Sequence, residues 1–359
     1  MDLATLRRER LRSHRLSAPA PTVAAAAEHM LATQAQEFWG GRWALASRTR
    51  GAPTLRTVDA AFDRGEVVRS WTMRGTIHVI PARDLAWVLS VTGERQRAKA
   101  ALVHRREGID DDEAARAESV VRAALGGGNQ LARKEMFATW EAGGVSTAGQ
   151  RGYHLLFALA VRGVLCQGPV VPRKPGPTRE QFWVLTEEWA PDQVIPPDPL
   201  AEFFFRFIAS HGPAGVRDFS WWSGLPLGVA REAADAASDR LVVVSDDGET
   251  QFVAAEARPR RSASAQEVLA LPPFEEYYLS YADRSVACAP EFLTAIGPAM
   301  NGIVRPIIVA RGEAIGVWTH SVAVGRHADD PIPELFTTDA ATDVEVSAAL
   351  DRYRDFITG

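Results

Sequence analysis

The sequence predicts an α+β protein of three successive helical units, each closed by a β-hairpin, with a β-rich segment at the C-terminal end. Three observations carry this expectation. Runs of helical hydrophobic spacing alternate, three times in the same order, with short β-branched runs that turn back on themselves. Gly, Arg-Gly and Asp-Gly punctuation falls where those runs must turn. After Arg258–Ala265 the rhythm breaks into an aromatic-dense stretch, a further hairpin and one capped helix. The expected segments are residues 1–109, 110–195, 196–257 and 266–359.

In the first unit, Val23 to Met30 is an alanine-rich helix, Arg42 to Ser47 a short second one, and Thr57 to Phe62 starts a third that ends by Gly65. The Gly40-Gly41 pair marks a break close by. Val67 to Met73 is a strand, Arg74-Gly75 a turn, and Thr76 to Ile80 the return strand, closed by Pro81. Helix–helix–helix–hairpin is the plan of a winged helix. The second unit opens with Asp110 to Leu125, acidic at its start and stopped by Gly126-Gly127-Gly128. Arg133 to Ala142 and Gln150 to Val161 follow, then strands Val164–Gln167 and Phe182–Leu185 around a basic loop, Pro172 to Pro177. In the third unit the helices are Leu200 to Ile208, Gly215 to Trp222 and Val229 to Ala237. Its strands, Leu241–Val244 and Gln251–Val253, turn through Asp247-Gly248. Beyond the linker, Gly302–Val309 and Ala314–Trp318 form a hairpin at Arg311-Gly312-Glu313. The last helix has a capping box, Thr342-x-x-Glu345, and an apolar face of Val346, Leu350, Tyr353 and Ile357 that needs a core to dock on.

At 359 residues, 46% hydrophobic and 24% charged, the composition is that of a soluble globular protein. Cys166 and Cys288 lack any CxxC partner, which argues against a disulfide framework or a zinc site. With no apolar h-region at the N-terminus and no run long enough to cross a bilayer, a cytoplasmic protein with no membrane partner is expected. No metal-ligand cluster or Gly-rich nucleotide loop is present, so no cofactor and no metal are expected. The net charge of −5 is unevenly spread. Residues 1–109 carry 18 Lys and Arg against 10 Asp and Glu, whereas 110–359 carry 22 against 35. A basic N-terminal third on an acidic protein suits a polyanionic partner.

The most informative stretch is Leu31-Ala32-Thr33-Gln34-Ala35-Gln36, at the exit of the first helix. In a continuing helix, positions i and i+2 diverge, and two carboxamides so spaced could not act on one atom. If the chain turns extended here, alternate side chains share a side and both amides can converge. By itself the pair also fits two solvated glutamines at a helix end.

Together with Met73-Arg74-Gly75-Thr76-Ile77-His78, Leu271-Pro272-Pro273-Phe274-Glu275-Glu276-Tyr277, Tyr281-Ala282-Asp283-Arg284-Ser285 and Asn301-Gly302, this stretch resembles winged-helix DNA glycosylases of the azinomycin-resistance type. The segments occur in the expected order over roughly residues 20–320, and Gln34-Ala35-Gln36 matches that family's Gln-x-Gln branch; a sister branch has Gln-x-Asp. The resemblance implies three tandem winged-helix units in a C-shaped body that holds duplex DNA. It further implies a monofunctional glycosylase, acting as a monomer on double-stranded DNA with alkylated purines, in some members unhooking antibiotic-derived interstrand crosslinks. Gln34 and Gln36 would be catalytic, positioning water. Nucleic-acid contacts would come from Thr33 beside them, from Arg48 and Arg50 at a helix end, and from Arg74, Thr76 and His78 on the first hairpin. For these a solvated arginine or a satisfied core histidine is the competing reading. Asp283 and Arg284 fit a buried structural pair better than a catalytic one. A winged-helix transcriptional regulator without chemistry is the alternative function, because fold alone does not decide.

Overall fold

The chain begins with α1 (Leu3–Ser13), whose first turn is capped by Asp2: its side chain accepts the Thr5 N–H. Thr22 does the same for α2 (Val23–Met30), accepting the Ala25 N–H at 3.1 Å. A two-residue extended piece, β1 (Thr33–Gln34), leads into α3 (Phe38–Ser47). Every residue of α3 is buried, Arg42 and Ser47 included. The break expected close by falls just before this helix, between Met30 and Phe38, and Gly40-Gly41 lies inside the helix without ending it. The reason is packing: a Cβ on Gly40 would sit 3.2 Å from Pro273 Cγ, so the glycine admits a close neighbour. After α3 comes α4 (Leu55–Asp63).

The computed structural model describes residues 1–172, 178–245, 249–255, 268–298, 302–319, 331–337 and 340–359. The basic loop tip at 173–177, the Asp247-Gly248 turn, the Arg258–Ala265 linker and Asn301 lie outside the described residues. The chain divides into two units, residues 1–58 with 200–359, and residues 59–199.

In the 59–199 unit, β2 (Val67–Met73) and β3 (Thr76–Pro81) form an antiparallel hairpin with Ser70 opposite His78. Arg74 and Gly75 turn it with φ of 56° and 76°, the doubly left-handed geometry that two-residue hairpins favour. The long helix α5 (Leu85–Arg106) packs its first half through Leu85, Trp87, Val88 and Leu89. α6 (Asp111–Leu125) starts at an Asp110 cap, with α7 (Arg133–Ala142) and α8 (Arg151–Val161) behind it. Their core is Val121, Leu125, Met136, Trp140, Leu155 and Leu159. Strands β4 (Leu165–Val170) and β5 (Gln181–Leu185) continue the sheet in the order β3-β2-β4-β5, and the short helix α9 (Thr186–Trp189) follows. The β2–β4 pairing at Arg69 and Gln167, with Arg69 Nη1 donating to Gln167 Oε1 at 2.7 Å, joins hairpins that chain order alone would separate.

In the other unit, α10 (Pro199–His211), α11 (Val216–Ser223) and α12 (Leu227–Ala236) precede the hairpin β6 (Leu241–Ser245) and β7 (Gln251–Ala254). Phe203, Phe204, Phe207, Phe219 and Trp222 interlock there, with ring centroids 5.0–6.3 Å apart. Next come β8 (Val268–Leu271), the single turns α13 (Glu276–Leu279) and α14 (Leu293–Ile296), then β9 (Ile307–Ala310), β10 (Glu313–Thr319) and β11 (Ile332–Leu335). These four strands form an antiparallel sheet in the order β11-β10-β9-β8. The capped helix α15 (Asp343–Thr358) docks against α3 and β8, burying Val346, Ala349, Leu350, Tyr353 and Phe356. Phe356 takes the inward place expected of Ile357. Tyr353 packs edge-on to Trp39, Trp43 and Trp318.

Candidate active site

The Gln34-Ala35-Gln36 segment owes its course to the residue at which α2 stops. Leu31 has φ 62° and ψ −58°, and the Ala32 N–H donates to Met30 O at 2.7 Å. That is a γ-turn of the rare positive-φ kind, strained for a side chain branched like leucine. A strain of about 1–3 kcal/mol is offset by enclosure, since Leu31 is fully buried. The reversal throws Thr33 and Gln34 into extended conformation, and the chain bends again at Gln36. Gln34 is 7% exposed; Gln36, beyond buried Ala35, stands at the surface. Thr33 is buried, with no hydrogen-bond partner for Oγ1.

Two neighbouring carboxylates hold this segment and the helix after it. Phe274, at φ 56°, turns the chain so that Glu275 and Glu276 both enter the core. Glu275 caps α13 by accepting the Tyr277 N–H at 3.0 Å, and forms a forked ion pair with Arg48 at the end of α3. Glu276 Oε1 accepts the backbone N–H of Gln34 at 2.7 Å. Its Oε2 accepts Trp222 Nε1–H at 3.0 Å and Ser280 Oγ–H at 2.5 Å, with His211 Nε2 3.6 Å away.

A second layer surrounds these groups. The Tyr281 hydroxyl donates to His211 O at 2.6 Å, so His14 Nε2, 2.8 Å away, must be the donor to Tyr281 Oη. That assigns His14 its neutral Nε2–H tautomer. Burial first, and then the neighbouring His211, Arg48 and Arg10, hold the His14 imidazole well below its usual range. Burial also lowers His211, against the opposing pull of Glu276. Arg10 lies over the Tyr281 ring at 3.6 Å and donates to Pro213 O.

The remaining expected contacts separate into those the structure leaves accessible and those it encloses. Arg50 is exposed, and Arg74 and Thr76 are half-exposed at the hairpin turn. Arg48 is 0% exposed: an arginine so enclosed serves Glu275 and does not reach a phosphate. His78, also 0% exposed, has Nδ1 3.0 Å from Thr72 Oγ1, which makes it a core residue of the hairpin. Asp283 and Arg284 are not a buried pair either. Asp283 is exposed and accepts the Ser285 N–H, while the Arg284 guanidinium lies against the Trp221 and Tyr278 rings. Glu276, Trp222 and Ser280 were missed as site residues. The signal was there: two adjacent acids amid Phe274, Tyr277 and Tyr278 enter the core only with partners in place. Among the described residues, no group of three His, Cys, Asp or Glu could hold a metal ion, and no helix is long and apolar enough to cross a membrane.

The fold is one already seen in a solved protein. It is similar to the solved structure of Streptomyces sahachiroi DNA glycosylase AlkZ, with a TM-score of 0.77 over 98% of this chain and 96% of that one, at 21% identity. In sequence, the interstrand DNA cross-link repair glycosylase of Streptomyces sahachiroi is 25% identical over 286 residues, covering 75% of this chain and 74% of that protein. The defining pattern of the AlkZ-like DNA glycosylases matches residues 27–356, and the chain belongs to that family. It is a DNA glycosylase, and the reading as a regulator without chemistry finds no support in these matches.

Proposed function

We propose that this enzyme hydrolyses the N-glycosidic bond of N7-alkylated purines in duplex DNA, with Gln34 and Gln36 holding the attacking water, and that it unhooks interstrand crosslinks built on such bases. A purine alkylated at N7 is cationic, so it leaves with the electron pair of the C1′–N bond and needs no general acid. Water adds to C1′, the base departs neutral, and one proton is released to solvent. The protein's task is therefore to orient water and to favour an oxocarbenium-like sugar. A carboxamide does this without titrating: its oxygen accepts from the water and its NH₂ donates to an adjacent oxygen. The three helix–helix–helix–hairpin segments are read as tandem winged helices in one monomer, with Arg50, Arg74 and Thr76 reaching the nucleic acid and Thr33 lining the site.

The observation that carries this reading is the γ-turn at Leu31, which brings Gln34 out of the helix in extended form directly after α2. The sequence relative named for interstrand crosslink repair supports the substrate class. Release of free base from a duplex carrying one N7-methylguanine, followed in single turnover, tests it. Gln34→Ala and Gln36→Ala should each slow excision on the order of 10²-fold while undamaged-duplex affinity is retained. A Gln34→Ala, Gln36→Ala double variant excising at the wild-type rate would end the proposal.

A further inference from the structure

Glu276 makes no contact that the water-holding scheme requires, yet its two oxygens are committed to three donors. Oε1 takes the Gln34 backbone N–H, and Oε2 takes Trp222 Nε1–H and Ser280 Oγ–H. The side chain is 1% exposed. A carboxylate only accepts, so it satisfies all three. An amide in its place could not, because its NH₂ would face an N–H or O–H donor. A buried charge of this kind is costly to maintain, and its removal leaves three buried donors without acceptors.

The bond to Gln34 is made by the backbone, and the backbone aims the side chain. In an extended residue the Cα–Cβ direction follows from the orientation of the flanking peptide planes. Leu31 fixes how the chain enters the segment, and the 2.7 Å bond to Glu276 fixes the peptide plane at Gln34 itself. The same short stretch holds the far side: Pro273 abuts Gly40 and Glu275 grips Arg48. Both ends of residues 33–48 are thus held by residues 273–276.

We infer that Glu276 is the positioning residue of the catalytic segment: by accepting the Gln34 N–H it sets the direction in which the Gln34 carboxamide meets the water. This rests on the reading of Gln34 as a water-holding group. Glu276 acts through Gln34 and touches neither DNA nor water in this scheme. Its loss should slow the chemical step and leave DNA binding alone, since an ångström of misplacement is enough to cost orders of magnitude.

A double-mutant cycle on the full-length protein tests it. Single-turnover excision of N7-methylguanine, per folded molecule, is compared for wild type, Glu276→Gln, Gln34→Ala and the pair. Glu276→Gln should slow the wild-type background roughly 10- to 100-fold and the Gln34→Ala background by less than about 3-fold. Undamaged-duplex affinity should stay within about 2-fold of wild type, since none of these residues is assigned to phosphate. In ¹⁵N-edited spectra the Gln34 backbone amide proton should move upfield when its carboxylate acceptor is replaced. Should the Gln variant fail to fold, Glu276→Asp keeps the charge but withdraws the acceptor, and it is expected to lose rate in the same background-dependent way. Equal losses in both backgrounds, with Gln34→Ala itself slow, would overturn the positioning role and leave the water-holding role intact. Gln34→Ala excising at the wild-type rate would overturn both.

Discussion

Side chains proposed to support chemistry and side chains that support the fold lie within a few residues of one another in this protein. Gln36→Asp introduces a carboxylate at the exposed end of the motif, where it can accept more strongly from water and stabilise cationic sugar. It should therefore retain more activity than Gln36→Ala, a ranking that single-turnover rates on one substrate decide. Arg48 is the opposite case. Its guanidinium and Glu275 are both enclosed, so Arg48→Ala leaves a buried carboxylate uncompensated. A loss of about 3–5 kcal/mol is expected from urea unfolding, with little change in duplex affinity per folded molecule. A pure affinity loss at full stability would instead return Arg48 to the phosphate contacts.

At the scale of elements, the basic N-terminal third resolves into arginines held by carboxylates and basic residues that face solvent. Arg7, Arg12, Arg48 and Arg64 are bound to Glu313, Glu9, Glu275 and Glu66. On α5, by contrast, Arg95, Lys99 and Arg106 recur at helical spacing, all exposed, with Leu102 projecting between them. If this stripe meets the phosphate backbone, replacing all three by Gln should weaken binding of undamaged duplex. It should also flatten log K against log salt by about 0.9 for each phosphate that is no longer neutralised. Anisotropy titrations at several salt concentrations read this directly, and an unchanged slope would assign the stripe to solvent. The elements themselves were largely legible. The alanine-rich run and the apolar run Val67–Met73 mark α2 and β2 at the bounds observed. What escaped is what depends on distant chain. That Gly40-Gly41 sits inside a helix is plain only once Pro273 is seen against it. The γ-turn falls on Leu31, a residue type with no local preference for positive φ, and only its enclosure keeps it there. The burial of Arg48 was not legible, because its partner Glu275 lies far along the chain, whereas the core reading of His78 stood in the sequence as the competing one.

For the molecule as a whole, buried imidazoles couple stability to pH. His14, His29 and His211 are held neutral, chiefly by burial; for His29, Arg15 adds to it and brings the value down to about 3. The His29 hydrogen bonds agree, with Nε2–H donating to Ser13 O at 2.6 Å and Nδ1 facing Arg15. In the unfolded chain these groups take up protons near pH 6.5, while the folded protein resists until lower pH. Their contribution is complete above about pH 6.5 and is lost as pH falls, for His29 down to about pH 3. Urea midpoints should drop steadily from pH 7.5 to 5. His29→Gln, which can still donate to Ser13 O, should lower the slope by at most one proton. A slope unaffected by His29→Gln would place the acid sensitivity elsewhere.

Gln34 is inside and tied by its backbone to a committed carboxylate, whereas Gln36, two residues on, and Glu37 after it stand at the surface. Exchange of residue 36 therefore takes place at the surface, whereas exchange of residue 34 takes place inside. Substitution has a closed door at the inner position and an open one at the outer. Diversification of the chemistry can proceed there in single steps, each leaving a folded protein for the next to act on.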